Sequence, residues 1–153
     1  MKHLKSVLGF IAAVSFVTGC ANIPHHKLYE GSLQPNEVAI LSNTEFVSRN
    51  VHILAIDGEP GTEGSLGFSE KTYNDQVSGK YYIELLPGTH TFNLQYVNVT
   101  YRAPHQTVIE HDFEAGHTYV IQSDLIKTDN GLFPNEVKLW IEDITDQVQS
   151  NKK

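Results

Sequence analysis

The sequence predicts an all-β domain, most simply an antiparallel β-sandwich. Short apolar or alternating runs are separated by Gly, Pro and Asn turn signals. After residue 20, no stretch of ten or more residues has a persuasive 3.6-residue apolar period. The 153 residues, 40% of them hydrophobic and 19% charged, fit about one domain. A small closed barrel is the alternative arrangement of the same strands.

Residues 1–19 predict a secretory signal peptide rather than part of the fold. Lys2 and Lys5 give this segment a positive start, and an apolar run follows over residues 7–17. That run is too short to cross a bilayer as a helix, which takes about 20 residues.

The end of the apolar run carries a known motif. Val17-Thr18-Gly19-Cys20 resembles the lipobox of bacterial lipoproteins, in which an aliphatic residue, most often Leu, and two small residues precede an invariant Cys. The resemblance implies cleavage between Gly19 and Cys20 and a lipid on Cys20, the sole cysteine. It further implies the outer membrane, facing the periplasm, because Ala21 is not the Asp that retains such proteins in the inner membrane. The alternative is an ordinary signal peptide followed by a free or buried cysteine.

Charge and composition narrow the classes of partner. Without residues 1–19 the chain keeps nine basic and 18 acidic residues. This balance argues against binding to nucleic acid and against electrostatic adhesion to anionic lipid. Residues 20–36 hold two Pro and a Gly without periodicity, which predicts a flexible tether. The β-domain is then expected over 37–147, with a polar tail over 148–153.

Seven runs are expected to form the strands. They cover residues 37–42, 51–56, 80–86, 89–99, 105–113, 117–123 and 136–144. The run 51–56 is apolar on both faces, which predicts a central strand, whereas 89–99 alternates and predicts a half-buried one. About seven short strands with turns between them favour an immunoglobulin-like or prealbumin-like sandwich.

Turn signals lie between these runs. Asp57-Gly58 begins a Gly-rich loop that lacks the lysine motif of a phosphate-binding loop, so it predicts nested turns. Pro87-Gly88 predicts a turn, and Gly116 predicts a hairpin between the fifth and sixth runs. Asn130-Gly131 is the strongest short hairpin signal in the chain.

Two segments resemble the PEGA-type modules of bacterial envelope proteins. They are residues 53–61, ILAIDGEPG, and 83–96, IELLPGTHTFNLQY, and the matching positions are Asp57, Gly58, Leu85, Pro87, Gly88, His90, Phe92 and Leu94. Residues 113–121, FEAGHTYVI, are similar to a hairpin of uncharacterised bacterial lipoproteins. The literal P-E-G-A string is absent. The resemblance implies structural turn residues, envelope scaffolding and protein contacts, with no known common chemistry.

Histidines are the main candidates for chemistry. His90 follows the Pro-Gly turn on the face of the apolar residues, which predicts a ring that bonds the loop backbone and closes one end of the domain. His105, His111 and His117 could ligate a metal only if different strands converge, because no H-x-H spacing occurs. We therefore expect no metal and no cofactor. No nucleophile motif is present, so we also expect no enzyme.

Trp140 is the candidate interaction residue. Val137, Leu139 and Ile141 share one face of the last run, so Trp140 shares the other face with Lys138. We expect Trp140 to pack under a loop or the second sheet, and the alternative is an exposed binding residue. The sequence as a whole predicts a lipid-anchored, non-enzymatic protein-interaction or scaffolding module among envelope proteins. The alternative is a module that binds a metal ion or a glycan through the histidines or Trp140.

Overall fold

A computed structural model describes residues 23–45, 50–64, 71–75, 77–126 and 136–151. The described residues form eleven strands and one helix. They are β1 His25–Lys27, β2 Ala39–Ser42, β3 Val51–Ile56, β4 Glu59–Pro60, β5 Glu63–Gly64, β6 Lys71–Thr72, β7 Tyr82–Leu85, β8 Gly88–Tyr96, β9 Thr107–Phe113, β10 Thr118–Ile126, β11 Glu136–Asp143 and α1 Thr145–Ser150. The predicted signal peptide, Gly19, Cys20 and the Asn130-Gly131 turn lie outside the described residues.

The strands form two main sheets, which confirms the all-β prediction. The five-stranded sheet has the order β1-β7-β2-β10-β11, and the four-stranded sheet has the order β4-β3-β8-β9. β5 and β6 form a separate short pair. These are distinct sheets rather than the single closed sheet of a barrel.

Two details of the predicted sandwich differ. The count of about seven strands is too low, because β1, β4, β5 and β6, each two or three residues long, join the seven longer strands. The sheets are not purely antiparallel either, since β1 pairs with β7 and β2 pairs with β10 in parallel. Runs as short as these contain too few residues to show a period in the sequence.

The core lies between the two main sheets. Its fully buried members come from both sheets and include Leu41, Ile83, Leu85, Ile121, Ile53, Phe92, Leu94 and Phe113. Burying each such side chain contributes about 1.5–3 kcal/mol. β3 lies between β4 and β8 and is buried along almost its whole length, so the prediction of a central strand is correct.

The hairpin predicted around Gly116 is wrong. β9 belongs to the four-stranded sheet and β10 to the five-stranded sheet, so this turn carries the chain from one sheet to the other. Gly116 does make a turn, with φ at 79° and its N–H donating to the carbonyl of Val38 at 2.7 Å. Phe113 before the turn and Tyr119 after it are buried, with ring centroids 4.6 Å apart. Both aromatic rings thereby enter the core from opposite sheets.

The ends of the domain also differ from the prediction. Part of the predicted tether is β1, which pairs with β7, so only residues 20–24 precede the first strand. At the other end, α1 crosses the expected boundary at residue 147. The N–H of Ile144 donates to the carbonyl of Thr118, which continues the pairing of β10 and β11 up to this helix. Within the described part of the chain, no helix is long and apolar enough to cross a membrane.

Candidate functional site

The Asp57-Gly58 turn joins β3 and β4. Both residues have positive φ, 51° and 83°, as the central residues of a type I′ turn require. Asp57 accepts the N–H of Thr91 at 2.9 Å through Oδ1, and its Oδ2 lies 2.6 Å from Nδ1 of His90. Burial alone would raise the pKa of Asp57, but the hydrogen bonds from Thr91 and His90 outweigh it and lower that pKa.

His90 connects this turn to the next one. Its Nε2 lies 2.8 Å from the carbonyl of Leu86, at the start of the Pro87-Gly88 turn. The ring side chain is 15% exposed, and both its nitrogens face oxygen atoms of the protein. The arrangement ties two turns together at one end of the domain, and neither ring nitrogen is available for substrate.

His111 and His117, on either side of the turn between β9 and β10, both lie against the ring of Tyr119. The ring centroid of His111 is 5.0 Å from that of Phe113 and 5.4 Å from that of Tyr119. Nδ1 of His117 lies 2.7 Å from Oδ2 of Asp143, and this hydrogen bond raises the pKa of His117. Thus His111 packs against aromatic rings, while His117 holds the end of β11.

The three histidines considered for a metal do not converge. His105 lines a shallow groove with Tyr101 and Val137, before the start of β9. The extended strand from Thr107 to His111 alone covers about 13 Å. Across the described residues, no three His, Cys, Asp or Glu side chains are grouped as metal ligands.

Two buried asparagines were not predicted. Asn74 accepts the N–H of Ile53 at 2.8 Å and donates to the carbonyls of Val51 at 2.9 Å and Gly79 at 3.0 Å. Asn43 accepts the N–H of Tyr81 at 2.8 Å and also bonds the carbonyl of Gly79. The two side-chain amides hydrogen-bond backbone groups inside the domain that have no partner on a neighbouring described strand. No local sequence pattern marks them.

Glu84 on β7 gathers side chains from the first strand. Its carboxylate lies 2.7 Å from Nε2 of His25 and 3.8 Å from Nζ of Lys27, and it accepts the hydroxyl of Tyr29. That hydroxyl bond raises the pKa of Tyr29 to about 12. Burial would raise the pKa of Glu84, but its hydrogen bonds from Tyr29 and His25 lower it. This cluster explains why β1 docks on the sheet.

Trp140 lies on the outer face of the five-stranded sheet. We define the Trp140 surface as Gln122, Asp124, Ile126, Lys138, Trp140 and Glu142, which are neighbours on β10 and β11. Trp140 is 36% exposed, so the expectation that it packs under a loop or the second sheet is wrong. Nζ of Lys138 lies 5.6 Å from the ring centroid, within the range of a cation–π contact. Gln122 donates to Glu142 at 2.9 Å.

The strand that carries Trp140 is also the edge of its sheet. In the described part of the chain, β11 pairs with β10 alone. The N–H of Ile144 donates to Thr118, and hydrogen-bonded pairs alternate along an antiparallel ladder. Trp140 is therefore hydrogen-bonded to Gln122, whereas the N–H and C=O groups of Leu139 and Ile141 point away from β10. Among the described residues, the result is an open strand edge beside an exposed tryptophan.

Comparison with known proteins does not place the chain in a family. No protein-family model matches it, and no curated protein or solved structure is significantly similar to it. The resemblances to the lipobox and to PEGA-type modules stay predictions from their motifs.

Proposed function

We propose that this protein is a lipid-anchored lipoprotein of the bacterial envelope that binds another protein through the Trp140 surface and takes no part in catalysis. The observation that carries the proposal is the partly exposed Trp140 beside a strand edge that no other described strand pairs with. Tryptophan is enriched among the residues that dominate binding energy. An open edge strand offers backbone groups that a partner strand can bond.

The described strand that follows the proposed anchor in the sequence and the strand of the binding surface lie at opposite edges of one sheet. The chain that leads from Cys20 enters the sheet at β1, and β11 is the last strand on the other side. Four strand spacings separate these edges, about 19 Å. The Trp140 surface is therefore on the strand of this sheet that lies farthest from β1.

The structural residues support an interaction module rather than an enzyme. His90 has both ring nitrogens engaged, and His117 is paired with Asp143. We further propose that the two main sheets form an immunoglobulin-like or prealbumin-like sandwich of PEGA type. The support for this assignment is that the chain turns at both of the matching dipeptides, Asp57-Gly58 and Pro87-Gly88, and that His90 links them.

The experiment is site-specific photo-cross-linking in intact bacterial cells with the full chain. A photoreactive residue replaces Gln122 on the Trp140 surface, and a matched chain carries it at Glu110 on the outer face of β9. We expect one abundant protein adduct from position 122, strongly reduced by Trp140→Ala, and none from position 110. Cys20→Ser should move the chain out of the membrane fraction. Equal adducts at the two positions would contradict the binding surface, and a membrane-bound Cys20→Ser chain would contradict the anchor.

A further inference from the structure

The free edge of β11 has side chains that suit one particular partner strand. Its eight residues read EVKLWIED, and Val137, Leu139 and Ile141 face the core side of the sheet. Lys138, Trp140 and Glu142 face outward. Lys138 and Glu142 lie at equal distances on either side of Trp140. If a second copy of β11 runs antiparallel beside the first, the positive charge of each strand therefore lies opposite the negative charge of the other.

We propose that β11 pairs antiparallel with β11 of a second copy of this chain, about a two-fold axis through Trp140. This inference rests on the proposed function and names the partner of the same surface. The pairing joins the two five-stranded sheets into one continuous sheet, and the interface is the same patch on both copies.

Side-chain chemistry selects the register. Residues opposite each other in an antiparallel pair share a face. With the axis at Trp140, Lys138 of each copy lies opposite Glu142 of the other, so two pairs of opposite charge form. Leu139 lies opposite Ile141 in the same way, which keeps apolar residues on the core side.

The neighbouring registers are worse. An axis at Leu139 sets Glu136 of each copy against Glu142 of the other, which repeats a like-charge contact twice. An axis at Ile141 sets Trp140 against Glu142 and leaves Lys138 opposite Ile144, beyond the end of the strand. The register centred on Trp140 alone among these three has complementary charges.

The N–H and C=O groups of β11 point in the directions that this register requires. Trp140 directs its N–H and C=O to β10, so the two copies of Trp140 form a non-hydrogen-bonded pair. In such pairs the Cα atoms are about 4.5 Å apart and the side chains are close, which suits an aromatic pair. Leu139 and Ile141 direct their N–H and C=O groups away from β10, towards the second copy. They form the hydrogen-bonded pairs on either side of Trp140.

A charge exchange tests the register directly. Two full-length copies with different C-terminal tags are co-expressed, and co-isolation from solubilised membranes is measured. Lys138→Glu or Glu142→Lys, present in both copies, places like charges at both contacts and should reduce co-isolation by about tenfold or more. When one copy carries Lys138→Glu and the other Glu142→Lys, opposite charges face each other again, so co-isolation should return.

The matched control is Glu110→Lys on β9, which makes the same change in charge on the outer face of the other sheet and should leave co-isolation unchanged. Recovery in the mixed pair also shows that both variants fold. The inference would be overturned if the substitutions left co-isolation unchanged. It would also be overturned if co-isolation did not return in the mixed pair. Cross-linking at position 122 to a different protein would overturn it while leaving the proposed function intact.

Discussion

The negative charge of Asp57 stabilises the end of the domain where the Asp57-Gly58 and Pro87-Gly88 turns lie. The carboxylate accepts hydrogen bonds from Thr91 and His90, and its side chain is 47% exposed, so solvent screens part of their effect. Asn also tolerates positive φ, so Asp57→Asn changes the charge and leaves the backbone conformation possible. We expect this variant to lower the free energy of unfolding by about 1 kcal/mol at pH 7.

The pH dependence of that loss follows from the lowered pKa of Asp57. The stabilisation is present above the unfolded-state pKa of 3.8 and is lost as pH falls through the lower folded-state value. The difference between wild type and Asp57→Asn should therefore be constant near neutral pH and shrink below about pH 4. Urea unfolding followed by the emission of Trp140, the sole tryptophan, measures it. Asp112→Asn, an exposed carboxylate on β9, is the matched control; a pH-independent difference would contradict the role of charge.

Sequence and structure agree best for residues whose role is local. Turns beginning at Asp57-Gly58 were predicted because Asp and Gly favour turn conformations. Asn74 was not, because its partners Val51 and Ile53 lie 23 and 21 residues away in the sequence. In the local sequence, a buried asparagine that bonds distant backbone groups looks the same as an asparagine in an exposed turn.

Strand β1 has no apolar periodicity, and polar side-chain contacts hold it on the edge of the five-stranded sheet. Glu84 gathers His25, Lys27 and Tyr29, and the N–H of Leu28 donates to the carbonyl of Glu84 at 3.0 Å. Glu84→Gln removes the charge that these partners share. We expect about tenfold faster hydrogen exchange at the Leu28 amide, measured by NMR, because β1 opens more often.

Glu110→Gln provides the control for this variant, since it makes the same change of side chain on the outer face of β9. Its exchange rate at Leu28 should equal that of wild type. If Glu84→Gln also leaves that rate unchanged, backbone pairing with β7 holds β1 without help from the cluster.

Strand positions could be predicted from the sequence more fully than their pairing. Each of the seven predicted runs overlaps one of the longer strands, and the run 51–56 matches β3 at both ends. β8 begins one residue before its run, and β10 extends three residues beyond its run. The pairing of β9 and β10 was wrong because Gly116 indicates that the chain turns but not which sheet it enters next. That choice depends on where Phe113 and Tyr119 are buried, which is a property of the assembled core. The exposure of Trp140 was missed for the same reason.

Two-fold symmetry would limit how two copies with the proposed lipid anchor and the proposed β11 pairing sit on one membrane. If both Cys20 lipids enter the same bilayer, the axis lies along the membrane normal. The axis of an antiparallel strand pair is perpendicular to its sheet, so the joined sheet lies parallel to the membrane where the two β11 strands meet. The paired Trp140 side chains then face either towards the membrane or away from it.

The position of β1 favours the orientation towards the membrane. Five residue steps join Cys20 to His25, a reach of at most about 18 Å. β1 belongs to the five-stranded sheet, whose outer face carries Trp140. The opposite orientation would place the four-stranded sheet, about 10 Å further on, and its side chains between β1 and the lipid. The shorter path turns the outer face of the five-stranded sheet to the membrane.

Trp140 can report this orientation, since it is the sole tryptophan. We expect its emission, in the full lipidated chain reconstituted in vesicles, to be quenched by lipids that carry a nitroxide on the headgroup. Cys20→Ser should abolish the quenching because the chain leaves the membrane. Lys138→Glu should weaken it while the chain stays bound, because an unpaired copy can tilt on its short connection. Emission that the labelled lipid leaves unchanged in the anchored wild type would show that Trp140 faces away from the membrane, and the symmetric arrangement described above would then be wrong.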